Sequence, residues 1–148
     1  MAIVRLLRAL VRSTLALERA RPGEIGIRLS DDAELRALNR QWRGIDRATD
    51  VLSFPYDEAK DGARVSGDLV ISIDRAVDQA RRYRVSIGRE LARLTIHGTL
   101  HLAGHDHHKP GERTVMRRAE ARAMRAARES IVALDAAWDR LHRGGRAG

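Results

Sequence analysis

Five of the six histidines of this chain fall between positions 97 and 108, within the run IHGTLHLAGHDHHKPG. His97 and His101 are four residues apart in a stretch of helical character. Their side chains therefore differ by only about 40° around a helix axis, and both imidazoles can reach one zinc ion. A third ligand must come from beyond the pair. Gly104 is the residue type that ends a helix in a left-handed conformation and turns the chain back, after which His107 can swing toward His97 and His101. Were the helix to continue instead, His105 would lie on the same face, about 80° from His97. His105 or His108 could also complete a closed, structural site. No cysteine is present, so zinc or iron held by thiolates is excluded.

The spacing H-x3-H-x2-G-x2-H is similar to the metzincin zinc pattern, with one decisive difference. Gly98 stands where those peptidases carry the glutamate that serves as general base. Three nitrogens with an open fourth position are the arrangement of a catalytic zinc, one ion per chain. Such an ion lowers the pKa of its bound water to about 7, so a zinc-bound water can act without a carboxylate base, and the ion can polarise a phosphoryl oxygen. Asp106, flanked by histidines, is placed either to orient an imidazole from behind or simply to complete the turn after Gly104. Asp50 and Asp68 could face the site or cap a loop and a strand end.

The elements that must hold these groups can be read from periodicity. Ile3, Leu6, Leu7, Leu10, Thr14 and Leu17 recur at helical spacing opposite Arg5, Arg8, Arg12 and Arg19, which predicts a first helix ended by Pro22-Gly23. Residues 24–29 alternate as a strand. Ser30 and Asp31 with Glu34 open a short helix to about Gln41 by a capping-box pattern. Residues 42–50 form a polar loop, and Val51–Tyr56 read as a strand that Pro55 assigns to an edge or an end. Asp57–Ala63 is turn chemistry, Gly67–Ile73 is a buried strand, and Asp74 caps a helix to about Tyr83. From Ser86 a long helix carries the histidine pair to Gly104. Pro110 then starts a last helix running toward Trp138, with a tail frayed from about residue 140. Strands and helices intermixed in this way predict a single α+β domain over residues 1–148, a small sheet covered by helices.

Charge adds a hint about the partner. The net charge is +8, and all 28 basic residues except Lys60 and Lys109 are arginine. Such a field favours encounter with a polyanion such as nucleic acid, although an arginine-rich solvated surface would read the same way. With only five aromatic residues, a stacking platform of the RNA-recognition-motif or OB-fold kind is not expected. No apolar run reaches the roughly 18 residues a membrane span needs. The opening MAIVRLLRALVRSTLALERA is interrupted by charges every few residues and reads as an amphipathic helix rather than an export signal. A cytoplasmic location is expected.

HGTLHLAGHDH resembles the H-G-x-L-H-L-x-G-[YH]-D-H pattern of the YbeY family of bacterial endoribonucleases. Two further stretches match that family in order. Asn39–Tyr56, NRQWRGIDRATDVLSFPY, is similar to its L-N-x-x-[YW]-R-x-x-D-x-x-T-D-V-L-S-F-P segment, and Gly67–Ser72, GDLVIS, is similar to its G-D-I-V-I-S strand. Met116 and Glu120 fit the weaker pattern of its final helix, so the resemblance covers roughly residues 24–130. It implies a zincin-like fold and one zinc held by His97, His101 and His107. It also implies cleavage of single-stranded RNA in ribosomal RNA maturation, with the ribosome as partner, and a catalytic role for Arg43. Neither a membrane nor DNA is implied. The spacing alone leaves two other readings open, a zinc peptidase and a non-catalytic zinc-containing RNA-binding factor. Family members usually begin with a strand ahead of the first helix, so here a strand is expected to be missing or shortened. His105 stands where tyrosine is commoner, and His108 is an additional imidazole.

Overall fold

The computed structural model describes residues 2–56, 64–106 and 108–144. The expected turn at 57–63 and the third expected ligand, His107, lie outside them. The elements in chain order are α1 (Ala2–Leu17), β1 (Arg21–Ser30), α2 (Asp32–Arg43), β2 (Val51–Pro55), β3 (Arg64–Ser72), α3 (Ile73–Tyr83), α4 (Ile87–Leu102), α5 (Pro110–Ala126) and α6 (Arg128–Gly144). The three strands form one mixed sheet in the order β1-β3-β2, with β1 parallel and β2 antiparallel to the central β3. An α+β architecture was expected, and Pro55 closes an edge strand as its missing N–H requires. Among the described residues no strand precedes α1.

Alternation along the strands gives the sheet two different faces. Leu69 and Ile71 of β3 turn toward α1 and α4, joined by Ile27 and Leu29 of β1 and Val51 of β2. Leu52, Phe54 and Val70 turn the other way and pack only on Leu35 and Leu38 of α2. The α4 side is therefore the main core and the α2 side a thinner layer. Helix α4 runs through the middle of the main core, and eleven of its 16 residues are buried against the sheet and neighbouring helices. A helix enclosed on so many sides is a rigid base for side chains that must hold a fixed geometry.

Several boundaries differ from those the sequence suggested. Helix α1 buries Ile3, Leu7, Leu10, Val11, Thr14 and Leu15, so its apolar stripe is rotated away from Leu17, which is exposed. It ends through Arg19 in a left-handed conformation, with the Ala20 amide donating to the Leu15 carbonyl, and not at Pro22-Gly23. Pro22 and Gly23 lie inside β1, where the register with β3 shifts between Pro22 and Ile25 and the Ser66 hydroxyl accepts from the Glu24 amide. Helix α3 is capped by Ser72, whose hydroxyl accepts from the Arg75 amide, while Asp74 lies two residues on, within the first turn. The single long last helix is two helices broken at Ala127, a buried residue whose bend lets Ala119 and Ala123 of α5 and Leu134 and Ala137 of α6 reach the same core. Helix α6 continues past residue 140 because His142 stacks on Trp138 at 4.2 Å and bonds its carbonyl oxygen.

Candidate active site

Helix α4 carries His97 and His101 to the edge of the sheet beside β2. Ser86 caps its start through the Arg89 amide. Its end is closed by Gly104 at φ +99, a backbone conformation that favours glycine, with the His105 amide folded back onto the Leu100 carbonyl. The chain thus leaves the helix by the turn that Gly104 suggested. Asp106 and His108, the chain neighbours of His107, both line the cleft that contains His97 and His101.

The two imidazoles face each other edge-on, with Nε2 atoms 3.2 Å apart and ring centroids 4.7 Å apart. Two nitrogens bound at about 2.0–2.1 Å to one tetrahedral zinc would stand about 3.3 Å apart, so the pair has the spacing of two ligands to one ion. On the far side of its ring, His97 donates from Nδ1 to Glu120 Oε1 of α5 at 2.6 Å. That bond fixes the tautomer and leaves the Nε2 lone pair aimed into the cleft. Burial pushes the Glu120 carboxyl upward, but the hydrogen bond from His97 and the electrostatic influence of His97, Arg93 and His101 outweigh it, and the group is held below the usual carboxylate range. Among the described residues no three metal-binding side chains converge on one point.

One turn before His97, Arg93 is gripped by Glu90 through two bonds of 2.9 and 2.6 Å. Glu90 is only 1% exposed, and Gln79 of α3 donates to the same carboxylate at 2.6 Å. A buried carboxylate is tolerable only when paired and bonded in this way. Asp50 joins the same group, accepting from Gln79 and from the Val51 amide, and it lines the cleft. Asp50 therefore both caps the start of β2 and faces the histidines. Asp68 does neither: its Oδ1 accepts from the Tyr56 hydroxyl on the opposite face of the sheet.

The other wall of the cleft comes from α2 and the loop behind it. Asp31 starts α2 by accepting from the Glu34 amide, and Gly44 ends it at φ +71. Asn39 donates to the Arg47 carbonyl, and Arg36 holds Asp46 through two bonds, so the middle of the loop over 44–50 is tied back to α2. Arg43, the last residue of α2, then reaches the edge of β2 and donates from Nη2 to the Ser53 carbonyl at 3.3 Å. It lines the same cleft of about 610 Å³ as His97 and His101. Residues far apart in the chain thus meet at one opening, a histidine pair on one side and a guanidinium on the other.

The remaining expected residues are distributed as follows. Asp106 meets His108 Nε2 at 3.3 Å. His105 Nε2 is bonded to Glu18, just beyond α1, which ties the turn after Gly104 to the first helix. Glu120 and Ser53 were not recognised as site residues from the sequence, which leaves Asp50 either facing the site or capping a loop. Glu120 lies 23 residues beyond His97, and no local pattern marks a contact that depends on how α5 folds back over α4.

Gly98 explains why the peptidase glutamate has no counterpart here. A Cβ at this position would lie 2.8 Å from Leu69 Cδ2 and 3.2 Å from both Ser53 Oγ and Val51 Cγ2. The position faces the sheet, and the Ser53 hydroxyl donates to the Gly98 carbonyl at 3.0 Å across this close approach. No room exists for a longer side chain. Gly98→Ala should gain about 1 kcal/mol in helix propensity. It should lose about 1–3 kcal/mol by overpacking against the buried Leu69. The expected net result is a destabilisation on the order of 1 kcal/mol, read as a lower urea midpoint at unchanged slope. An unchanged or raised midpoint would mean that the α4–sheet contact is looser than these distances.

Comparison with known proteins gives a consistent family. The family model described as Endoribonuclease YbeY matches residues 2–128, so most of α6 lies beyond it. The Endoribonuclease YbeY of Anaeromyxobacter sp. (strain Fw109-5) is 50% identical over 111 residues, which are 75% of this chain and 57% of that protein. The protein of the same name from Carboxydothermus hydrogenoformans is 46% identical over 109 residues, covering 74% and 76% of the two chains. That of Anaeromyxobacter dehalogenans is 43% identical over 144 residues, covering 97% and 72%. A solution structure of a Thermotoga maritima protein aligns over 87% of this chain and 81% of that one, with a TM-score of 0.60 and 28% identity.

Proposed function

This chain belongs to the endoribonuclease YbeY family, and from that premise we propose that it is a zinc-dependent endoribonuclease that cleaves single-stranded RNA during ribosomal RNA maturation. The observation that supports the metal-dependent reading best is the 3.2 Å separation of His97 Nε2 and His101 Nε2, at a cleft whose opposite wall is Arg43. His97, His101 and His107 are the residues that would hold the ion. A zinc bound there supplies Lewis acidity toward a phosphoryl oxygen and lowers the pKa of water.

The chain's own groups supply the rest. Glu120 keeps the His97 proton on Nδ1, so that Nε2 is a lone-pair donor. The Glu90–Arg93–Gln79 group stiffens α4 one turn below, and His105 fixes the exit turn through Glu18. Arg43 projects its guanidinium toward the place where a phosphoryl group gathers negative charge. Away from the cleft, Arg89, Arg117, Arg125 and Arg128 line a groove of about 500 Å³ where α4, α5 and the start of α6 meet. This groove suits the backbone of a long RNA such as that of the ribosome. On the first helix, by contrast, Arg8 is spent on the Ile25 carbonyl. A ribosomal RNA substrate goes with a cytoplasmic location.

The peptidase reading finds no support, because the position of its general base is Gly98, packed against the sheet. Cleavage of a short single-stranded oligoribonucleotide by purified protein should vanish on metal stripping and return with zinc at about one ion per chain. Cleavage that survives complete removal of metal would overturn the metal-dependent mechanism.

A further inference from the structure

The sequence holds only five aromatic residues, and three of them, Trp42, Phe54 and Tyr56, are gathered on the α2 face of the sheet. Trp42 is 65% exposed and Tyr56 42%. Together with Leu38 and Val70, Trp42 and Phe54 line an open, mostly apolar pocket of about 630 Å³ with Arg28 and Asp68 among its polar groups. An indole left this accessible beside other apolar surface marks a place where something binds. From this grouping we propose that the pocket receives an unpaired nucleobase of the RNA, adjacent to the phosphate that is cut. The inference rests on the endoribonuclease reading above and names the feature of the substrate that the site recognises.

Continuity with the cleft is what selects this occupant. Pro55, at the end of edge strand β2, lines both the pocket and the cleft that holds His97, His101 and Arg43. Trp42 and Arg43 are consecutive at the end of α2, one lining the pocket and the other bonded to the β2 edge. A nucleotide chain crossing the end of β2 would place a phosphate near Arg43 and the attached base over Trp42. The chemistry of the pocket fits a base. The indole and the Phe54 ring offer π-faces that stack any base. Asp68 uses Oδ1 for the Tyr56 hydroxyl, and its Oδ2, which takes no hydrogen bond from the described residues, can accept from an amino or imino N–H. A base already stacked and paired in a helix cannot enter such a pocket, which gives a physical reason for a single-strand preference.

The test uses full-length protein carrying Trp138→Phe, so that fluorescence reports Trp42 alone, and a short single-stranded oligoribonucleotide as probe. Binding should quench Trp42 emission. Trp42→Ala should weaken affinity, measured by anisotropy of a labelled probe, by about tenfold with metal content and melting temperature unchanged, and Trp42→Phe should recover most of it. Moving one abasic position along the probe should find a site where the parent loses that same factor and Trp42→Ala loses nothing more. Parent-like affinity in Trp42→Ala, or abasic and Trp42→Ala losses that simply add at every position, would overturn the base pocket and leave the surface to a protein partner. These outcomes are separable from failure of the enzymatic reading. A protein that shows the Trp42 effects without cutting RNA keeps the pocket and loses the nuclease. One that cuts RNA with no Trp42 effect does the reverse.

Discussion

Replacing His97 by alanine is expected to leave the chain folded, empty it of zinc and abolish RNA cleavage. His97 and His101 present Nε2 atoms 3.2 Å apart to one cleft, and the Glu120 bond behind His97 keeps its lone pair directed there. Three imidazoles would hold the proposed ion tightly, and two would leave it to exchange with solvent and competing chelators. His101→Ala and His107→Ala should lose the metal in the same way. His105→Ala should retain it, because His105 Nε2 is bonded to Glu18, and so should His142→Ala, whose ring stacks on Trp138 in α6. Glu120→Gln is the graded case. It removes the carboxylate charge behind His97 without touching a ligand, and zinc affinity should fall by about 10–100-fold. Elemental analysis with a chelator competition reads all of these, beside a cleavage assay. Full zinc in His107→Ala would mean that the third ligand is another residue, with His108 the next to test.

What the sequence disclosed and what it withheld divide along physical lines. Asp31, Ser86, Gly104 and the buried apolar run of β3 act through their immediate neighbours, so their effects are written in a few consecutive letters. Each does what its type suggests. Pro22-Gly23 misleads because its local turn preference is overridden by pairing with β3, where the Ser66 hydroxyl fills the gap in the ladder. The break at Ala127 has no glycine or proline to announce it. It arises because two helices must each turn an alanine-rich face to α4. Within the site, the histidine pair and Arg43 were legible, the first from spacing and the second only through resemblance to a family. The role of Glu120 was not, and that of Asp50 stayed open between site and cap, since each depends on where a distant element comes to rest. The aromatic cluster is similar. Five aromatics scattered along a chain suggest nothing, and three gathered on one sheet face suggest a ligand.

Arg43 offers the sharpest separation of chemistry from scaffolding. It sits at the end of α2, immediately before Gly44, and reaches the cleft through a single 3.3 Å bond to the Ser53 carbonyl. One contact to an edge-strand carbonyl adds little to stability, and the other N–H groups of the fork remain to meet two oxygens of a phosphoryl group. Arg43→Ala should therefore keep its fold, and it should keep its zinc, because α4 and α5 hold the histidines from the opposite wall. Its cleavage rate should fall by about 10²–10³, the size of effect seen when one donor to a developing oxyanion is removed. Arg43→Lys should recover only part of this, since an ammonium restores the charge and not the paired donors. Arg40→Ala, a change to an exposed arginine on the same helix, should cost little and controls for loss of general positive charge. The measurement is single-turnover cleavage under saturating zinc, with metal content checked in each variant. A parent-like rate for Arg43→Ala would make its approach to the β2 edge purely structural, and the group that stabilises the phosphoryl charge would have to come from another wall of the cleft.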